Sequence, residues 1–428
     1  MTTNIVWMAR VAVAGMLLAG AAAWGQEADP AVPEAAPVAA GARGADALEE
    51  AASRGAREAL AALKGGARDG LAPEAVEAAV LEAVLRAGDP GAGFDVPSAA
   101  KWECGMLLVG TEGLPRVAFV AEESAAAAAG IAAGDRIAEA GGVAVAPGAD
   151  LSGMRAALGG GEEAALAVAV EPADGGERKI VEIVRAARGD GVQAAVAERL
   201  PTGIGYVWMP WVGEGAADAF AKALETLGDV SGLVVDLRGA GGTAAEEIAG
   251  IAHRFTLPGK ILYRIDEGTA GALTPAAGAF GERFGRPAMV LVDEGTTGAA
   301  ELLAAVLAGC GKGVLAIGRE TSGDPLVRGA VGLADGRTAW LAVHSVSVGD
   351  GGMRFDGGKG LVPALEISER VLAESVYEPE EPVLRKGKSL SEEEKEDRAL
   401  RDRTRFDPYL RRAADVLLGL QALGHEWR

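Results

Sequence analysis

Gly232-Leu233-Val234-Val235-Asp236-Leu237-Arg238 is a short apolar run that starts after a glycine and ends in a charge pair. A run of that length reads as a buried strand, with its polar end at the sheet margin. Working outward, Ile204 to Met209 is a second strand of the same kind. Between the two, Gly215 to Leu227 has helical spacing, with Ala219, Phe220, Ala223 and Leu224 on one face. Downstream come a helix from Thr243 to Phe255, a strand from Ala288 to Asp293, a helix from Glu301 to Ala308 and a strand from Gly313 to Gly318. Such alternation implies a mostly parallel sheet covered by helices, an α/β core. Sites in such folds are built at the carboxyl ends of the strands.

Upstream the pattern changes. From Trp102 to about Arg188 the apolar stretches are short, as in Gly105-Met106-Leu107-Leu108-Val109 and Val117-Ala118-Phe119-Val120. Ser124 to Ala129 is a short Ala-rich helix, Gly141-Gly142 a hairpin turn, and Gly153 to Leu158 a second helix. Alternating strands at Ala164 to Glu171 and Lys179 to Val184 close the unit. Ala45 to Ala87 and Pro73 to Arg86 carry helical spacing. At the other end, Ser391 with Glu394 fits a capping box, and Asp407-Pro408 fits a helix start.

Composition narrows the function. Of 428 residues, 49% are apolar and 24% charged, which supplies sizeable cores and excludes wholesale disorder. The formal net charge of -20 repels phosphate backbones, so no nucleic-acid partner is expected. Three His and two Cys give no zinc pattern, and neither a metal nor a cofactor is expected. Val11 to Trp24 is apolar but short for a membrane span, and Ala23-Trp24-Gly25 offers small residues at a cleavage point. Residues 1–25 therefore read as a secretory signal, with a retained membrane anchor as the alternative. Export to the periplasm or cell envelope follows, with no stable membrane insertion after cleavage. There Cys104 and Cys310 either pair or remain two separate buried thiols.

Gly105 to Val184 resembles a PDZ domain, through Gly105-Met106-Leu107-Leu108 and the segment Ala128-Ala129-Gly130-Ile131-Ala132-Ala133-Gly134-Asp135-Arg136-Ile137. The stretches Gly232 to Arg238, Val292 to Glu301, Ile317 to Thr321 and Gly357-Gly358-Lys359-Gly360-Leu361-Val362-Pro363 resemble the carboxy-terminal processing peptidases, also called tail-specific proteases. The resemblance runs in family order over about residues 60 to 423. It implies a crotonase-like parallel-sheet peptidase core with a PDZ domain and flanking N- and C-terminal helices, α+β overall. The expected division is signal 1–25, flexible leader 26–44, helical segment 45–100, PDZ domain 101–190, peptidase-like core 200–375, and charged linker with C-terminal helices 376–428. Gly105, Met106, Leu107 and Leu108 are the expected peptide-binding residues. An edge strand behind a glycine loop offers backbone N–H groups to an added strand and its terminal carboxylate.

The resemblance implies a Ser nucleophile and a Lys base, and this chain has neither at the matching positions. The nucleophile lies midway in the segment here written Gly295-Thr296-Thr297-Gly298-Ala299-Ala300-Glu301, and counting from either end gives Gly298. The base position in Gly318-Arg319-Glu320-Thr321-Ser322-Gly323-Asp324 is Asp324, and the base-orienting position is Arg328. The oxyanion region, Arg238-Gly239-Ala240-Gly241-Gly242, is one residue shorter than the family's and lacks its Pro, which leaves the aim of Gly241 and Gly242 open. Thr297 is the candidate for a relocated nucleophile. A Ser-His-Asp arrangement would need His253 or His344.

The expectation is an exported homologue without proteolytic activity. It would bind polypeptide C-termini or partner proteins, an active peptidase relative among them, as adaptor or regulator. The alternative is a working serine-type endopeptidase with a relocated nucleophile. A structural envelope role is a third reading.

Overall fold

The computed structural model describes residues 102–423 except 111–112, 147, 149–150, 161–163, 188–194, 267–271, 274, 279–282, 325–327, 333–337, 343–344, 351, 356–358 and 369–389. The expected signal, leader and N-terminal helical segment lie outside the described residues, as do His344 and most of the charged linker. Two units divide the chain. The larger holds residues 99–264, 274–325 and 346–428, and the other includes Ile265–Leu273 and Leu326–Ser345.

The larger unit begins with a sheet in the order β2-β3-β4-β6-β7. Its members are β2 (Met106–Val109), β3 (Arg116–Val120), β4 (Arg136–Ala140), β6 (Ala165–Glu171) and β7 (Lys179–Val184), with β5 (Val143–Ala144) paired to β4. A separate two-residue pair joins β1 (Trp102–Glu103) to β8 (Ala186–Ala187). Helix α1 (Ala125–Ala128) starts on Ser124, whose hydroxyl accepts from the Ala127 N–H. Helix α2 (Ser152–Gly159) packs its Met154 and Leu158 with Met106, Leu108, Val117 and Ile183 in one apolar cluster. Strand alternation sends Leu107 and Val109 the other way, into a second cluster that includes Tyr206 and Trp208. Phe119 meets both rings edge-on, at centroid distances of 5.6 and 5.4 Å.

The second sheet has the order β22-β17-β16-β12-β10-β9. Strands β10 (Gly205–Trp208), β12 (Leu233–Asp236), β16 (Ala288–Val292), β17 (Val314–Gly318) and β22 (Leu365–Glu366) run parallel, while β9 (Val196–Arg199) pairs antiparallel with β10. All residues of β10, β12 and β16 are buried, as continuous apolar strands covered on both faces require. Helices α3 (Ala216–Leu227), α4 (Glu247–Ala252) and α5 (Gly298–Cys310) follow these strands. Residues 298–307 of α5 are buried on every side, which fits a sequence apolar all round except at Glu301.

Short strands β11 (Trp211–Val212) and β13 (Gly241–Gly242) pair parallel. Strands β20 (Ser345–Val348) and β21 (Arg354–Phe355) pair antiparallel. Helix α6 (Glu392–Arg403) starts in the expected capping box, with Ser391 and Glu394 exchanging bonds of 2.7 and 3.2 Å. Helix α7 (Pro408–Ala422) starts on Asp407 and lays Leu410, Ala413, Ala414 and Leu417 on the second sheet. In the other unit, β14 (Tyr263–Asp266, shared between the units) pairs with β15 (Ala272–Leu273), and β18 (Arg328–Gly332) with β19 (Thr338–Ala342).

Two boundaries differ from expectation. The helix expected over Thr243 to Phe255 covers only Glu247–Ala252, because Gly241–Gly242 form a strand and the next amides, Thr243 and Ala244, both donate to the Val212 carbonyl. The helix expected from Glu301 begins at Gly298. Both cysteines are free thiols: Cys104 Sγ donates to the Leu158 carbonyl, and Cys310 lies by the Ile261 and Leu262 carbonyls.

Candidate functional site

The site region lies at the carboxyl ends of β12, β16 and β17, where three loops meet. The first springs from a buried ion cluster. Arg238 donates to both oxygens of Asp236 and, at 2.7 and 2.8 Å, to both oxygens of Asp407. Tyr206 adds its hydroxyl to Asp236 at 2.9 Å, and the Arg238 guanidinium lies 4.9 Å from the centre of the Tyr409 ring. Burial together with the neighbouring carboxylates pushes the Tyr206 hydroxyl well above its ordinary range. Asp236, Arg238 and Asp407 have essentially no exposure, so each charge depends on these partners. This clamp fixes the point from which Gly239 to Gly242 leave the sheet.

Asp293, at the end of β16, ties the first loop to the second. Its Oδ1 accepts from the Gly239 N–H at 2.8 Å and the Gly295 N–H at 2.9 Å. Its Oδ2 accepts from Arg155 Nη2 at 2.6 Å. Arg155 comes from α2, so a side chain of the first sheet's helix is seated between two loops of the second. A Cβ on Gly295 would lie 1.8 Å from its guanidinium, so the space there belongs to Arg155.

Glu301 ties the third loop. Its carboxylate accepts from the Thr321 hydroxyl, from Ser322 Oγ at 2.9 Å, and from the Gly323 and Asp324 N–H groups at 2.8 Å each. Burial lifts this carboxyl above the ordinary range, against the pull of the four donors. Thr321 in turn accepts from the Leu361 N–H at 2.7 Å, which joins the loop to the chain before β22.

The residues expected to carry chemistry fall within this frame as follows. Gly298 opens α5 with φ of 59°, and its N–H donates to the Asp324 carbonyl at 2.8 Å. A Cβ at this position would lie 2.4 Å from the Gly242 carbonyl oxygen. Gly242, expected in the oxyanion region, thus turns an acceptor toward position 298, and the Gly241 N–H points to the Pro210 carbonyl at 3.4 Å. Thr297 holds the N-cap position without capping the helix. Its hydroxyl donates to the Asp324 carbonyl at 3.3 Å, and a peptide carbonyl cannot take up a proton as a base does. Asp324 therefore contributes its backbone carbonyl to both Thr297 and Gly298. Arg328 stands on β18 in the other unit. His253 caps the end of α4. Gly105 precedes β2, and Met106, Leu107 and Leu108 form that edge strand with their side chains buried.

Sequence reasoning brought Gly298, Thr297, Asp324, Gly241 and Gly242 to one place. It missed the two carboxylates that organise them, Asp293 and Glu301, and the guanidinium of Arg155. Both acids stand in stretches whose sequence signal is carried by their apolar and glycine neighbours. A charged residue inside an apolar helix and another at a strand end are the signals that could have marked them.

The sequence of residues 203–367 matches the model of peptidase family S41. Among curated proteins, the chain is 31% identical over 135 residues to the chloroplastic carboxyl-terminal-processing peptidase 2 of Arabidopsis thaliana, a match covering 31% of this chain. It spans only 26% of that relative's length. Among solved structures it is similar to a photosystem II D1 C-terminal processing protease, with 23% identity, a TM-score of 0.44, and 70% and 83% of the two chains covered. Mature CPAF is similar at 10% identity and a TM-score of 0.47, over 82% of this chain and 89% of that one. Residues 203–367, the stretch that holds the parallel sheet and its site loops, are thus the part of the chain that is similar to peptidase family S41.

Proposed function

We propose that this chain is an exported, non-proteolytic homologue of the C-terminal processing peptidases that binds polypeptide. Its ligands would be polypeptide C-termini or partner proteins, with an active peptidase relative as one such partner. The observation that carries the reading is at position 298. There the chain has no side chain, and the Gly242 carbonyl fills the place of one. A nucleophile cannot be supplied there, and the expected base position gives only a carbonyl and a carboxylate residue, Asp324. Binding would use the sheet built from β2 to β7 within residues 106–184, read as a PDZ domain, whose edge strand β2 can accept an added strand.

The test incubates the purified chain with unstructured polypeptides of varied C-termini and reads products by mass spectrometry, with Thr297→Ala in parallel. No cleavage, with binding of the same polypeptides, is the expected result. Cleavage that disappears in the variant would overturn it in favour of a peptidase with its nucleophile at Thr297. Fractionation of the producing cell tests export, with periplasm or envelope as the expected compartment.

A further inference from the structure

The chain carries 61 acids against 41 bases, yet one cavity reverses that balance. It is open to solvent, has a volume of about 290 Å³, and lies between the end of α3 and the loop before β16. Three guanidinium groups line it, those of Arg254, Arg283 and Arg286, against one carboxylate, Asp229. Leu224, Val230 and Phe284 give it an apolar wall.

The loop that carries two of these cations is pinned. The Phe284 N–H donates to the Arg254 carbonyl at 2.8 Å, and the Pro287 carbonyl accepts from the Leu233 N–H at 3.0 Å. The Phe284 ring lies 5.8 Å from that of buried Phe255, which fixes the apolar wall as well. A ligand can reach Arg283 and Arg286. Arg283 is exposed, and its guanidinium has no partner among the described residues. Arg286 Nη2 meets Asp229 Oδ1 at 2.7 Å, with the two side chains 48% and 87% exposed. An ion pair so open to water is worth little, and the guanidinium keeps donors for a second anion. The carboxyl end of α3 does not account for these cations. Its Leu224 and Glu225 carbonyls accept from the Gly228 N–H, and Arg199 donates to the Leu227 and Asp229 carbonyls at 3.1 and 2.7 Å.

We propose that this cavity binds a small organic anion, a carboxylate or phosphate head on a short apolar body. The head sits between Arg283 and Arg286, and the body lies against Leu224 and Phe284. Planar guanidinium forks suit both oxyanions. A bare inorganic anion would leave the apolar wall in water, so the body adds affinity. The acids elsewhere on the chain do not prevent this, because exposed charges are screened beyond about 8 Å at physiological ionic strength. The site draws on no residue of β2 or of the loops around Gly298, so it goes beyond polypeptide binding and stands independently of it.

The test titrates the full chain with hexanoate, hexyl phosphate, hexanamide and inorganic phosphate, and reads binding by saturation-transfer NMR. Hexanoate or hexyl phosphate is expected to bind about tenfold more tightly than both hexanamide and inorganic phosphate, and the tighter of the two names the head group. Arg283→Gln and Arg286→Gln should each weaken that ligand by about tenfold. Arg178→Gln, which removes an exposed arginine just before β7, should leave its affinity within about twofold. All three replace exposed side chains, and a thermal transition checks that each variant folds. Binding of neither organic anion, or equal binding of hexanoate, hexyl phosphate and hexanamide, would overturn the proposal. Inorganic phosphate binding as tightly as the organic anions would also overturn it, since the apolar wall would then contribute nothing. Full affinity in both site variants, or an equal loss in Arg178→Gln, would place the anion elsewhere and overturn it too.

Discussion

The carbonyl oxygen of Gly242 lies 2.4 Å from the point where a Cβ on Gly298 would stand. Position 298 is therefore closed to any side chain unless the β11–β13 pair moves. Gly298→Ser is expected to leave the chain without peptidase activity and to lower its stability by roughly 1–3 kcal/mol, from the left-handed backbone and the overlap together. Adding Asp324→Lys should not change that. Thermal unfolding and a polypeptide digest check it, and cleavage by either variant would refute the closed-site account.

Arg155 is the tie from α2 to the site loops. Removing it leaves the nearly buried Asp293 with its two amide donors but without a countercharge. Arg155→Ala should cost about 1–3 kcal/mol. Hydrogen exchange should speed up at Gly239 and Gly295 while the amides of β12 and β16 stay protected. Unchanged exchange at both glycines would show that Asp293 holds the loops without it.

Glu301 gives a pH dependence. Its carboxyl is raised above an ordinary value of 4.5, so the folded chain holds that proton more tightly than the unfolded chain. Stabilisation from this group is complete below the ordinary value and is lost as pH rises through the folded one. Glu301→Gln sets an amide NH₂ against hydroxyl and N–H donors and should cost about 1–3 kcal/mol. The gap between the two proteins should be wider near pH 4 than near pH 8. Unfolding temperatures of both across that range decide it, and a gap that widens with rising pH would be the wrong sign.

Arg238 is shared by two fully buried carboxylates. Arg238→Leu leaves both without a cation and should cost about 3–5 kcal/mol. Restoring neutrality with Asp236→Asn and Asp407→Asn in the same chain should recover part of that loss. Chemical denaturation of the single and triple variants measures the recovery, and none at all would mean the cost was one of packing.

How much of this was legible in the sequence follows from the range of the interactions. The strand–helix alternation from Gly205 to Gly318 was readable, because apolar runs and helical spacing are local signals. Position 298 could be located because Gly295 and Glu301 frame it without a gap. The start of α5 was missed by a turn because Gly298-Ala299-Ala300 looks like a loop until its burial is seen. The pairing of Arg155 with Asp293 joins residues 138 positions apart, and the donors that gather on Glu301 stand 20 to 23 positions further along the chain. No periodicity reports such contacts.

Asp407 both starts α7 and completes the pairing of Arg238, which lies 169 positions earlier in the chain. Without the start of α7 in place, Arg238 would keep its bonds to Asp236 and lose those to Asp407. The strand that launches the glycine loop then carries a buried charge that is only half compensated. The geometry of the site loops is thus tied to a segment that contributes no residue to them, and a cut in the chain ahead of residue 407 would be felt at the glycines.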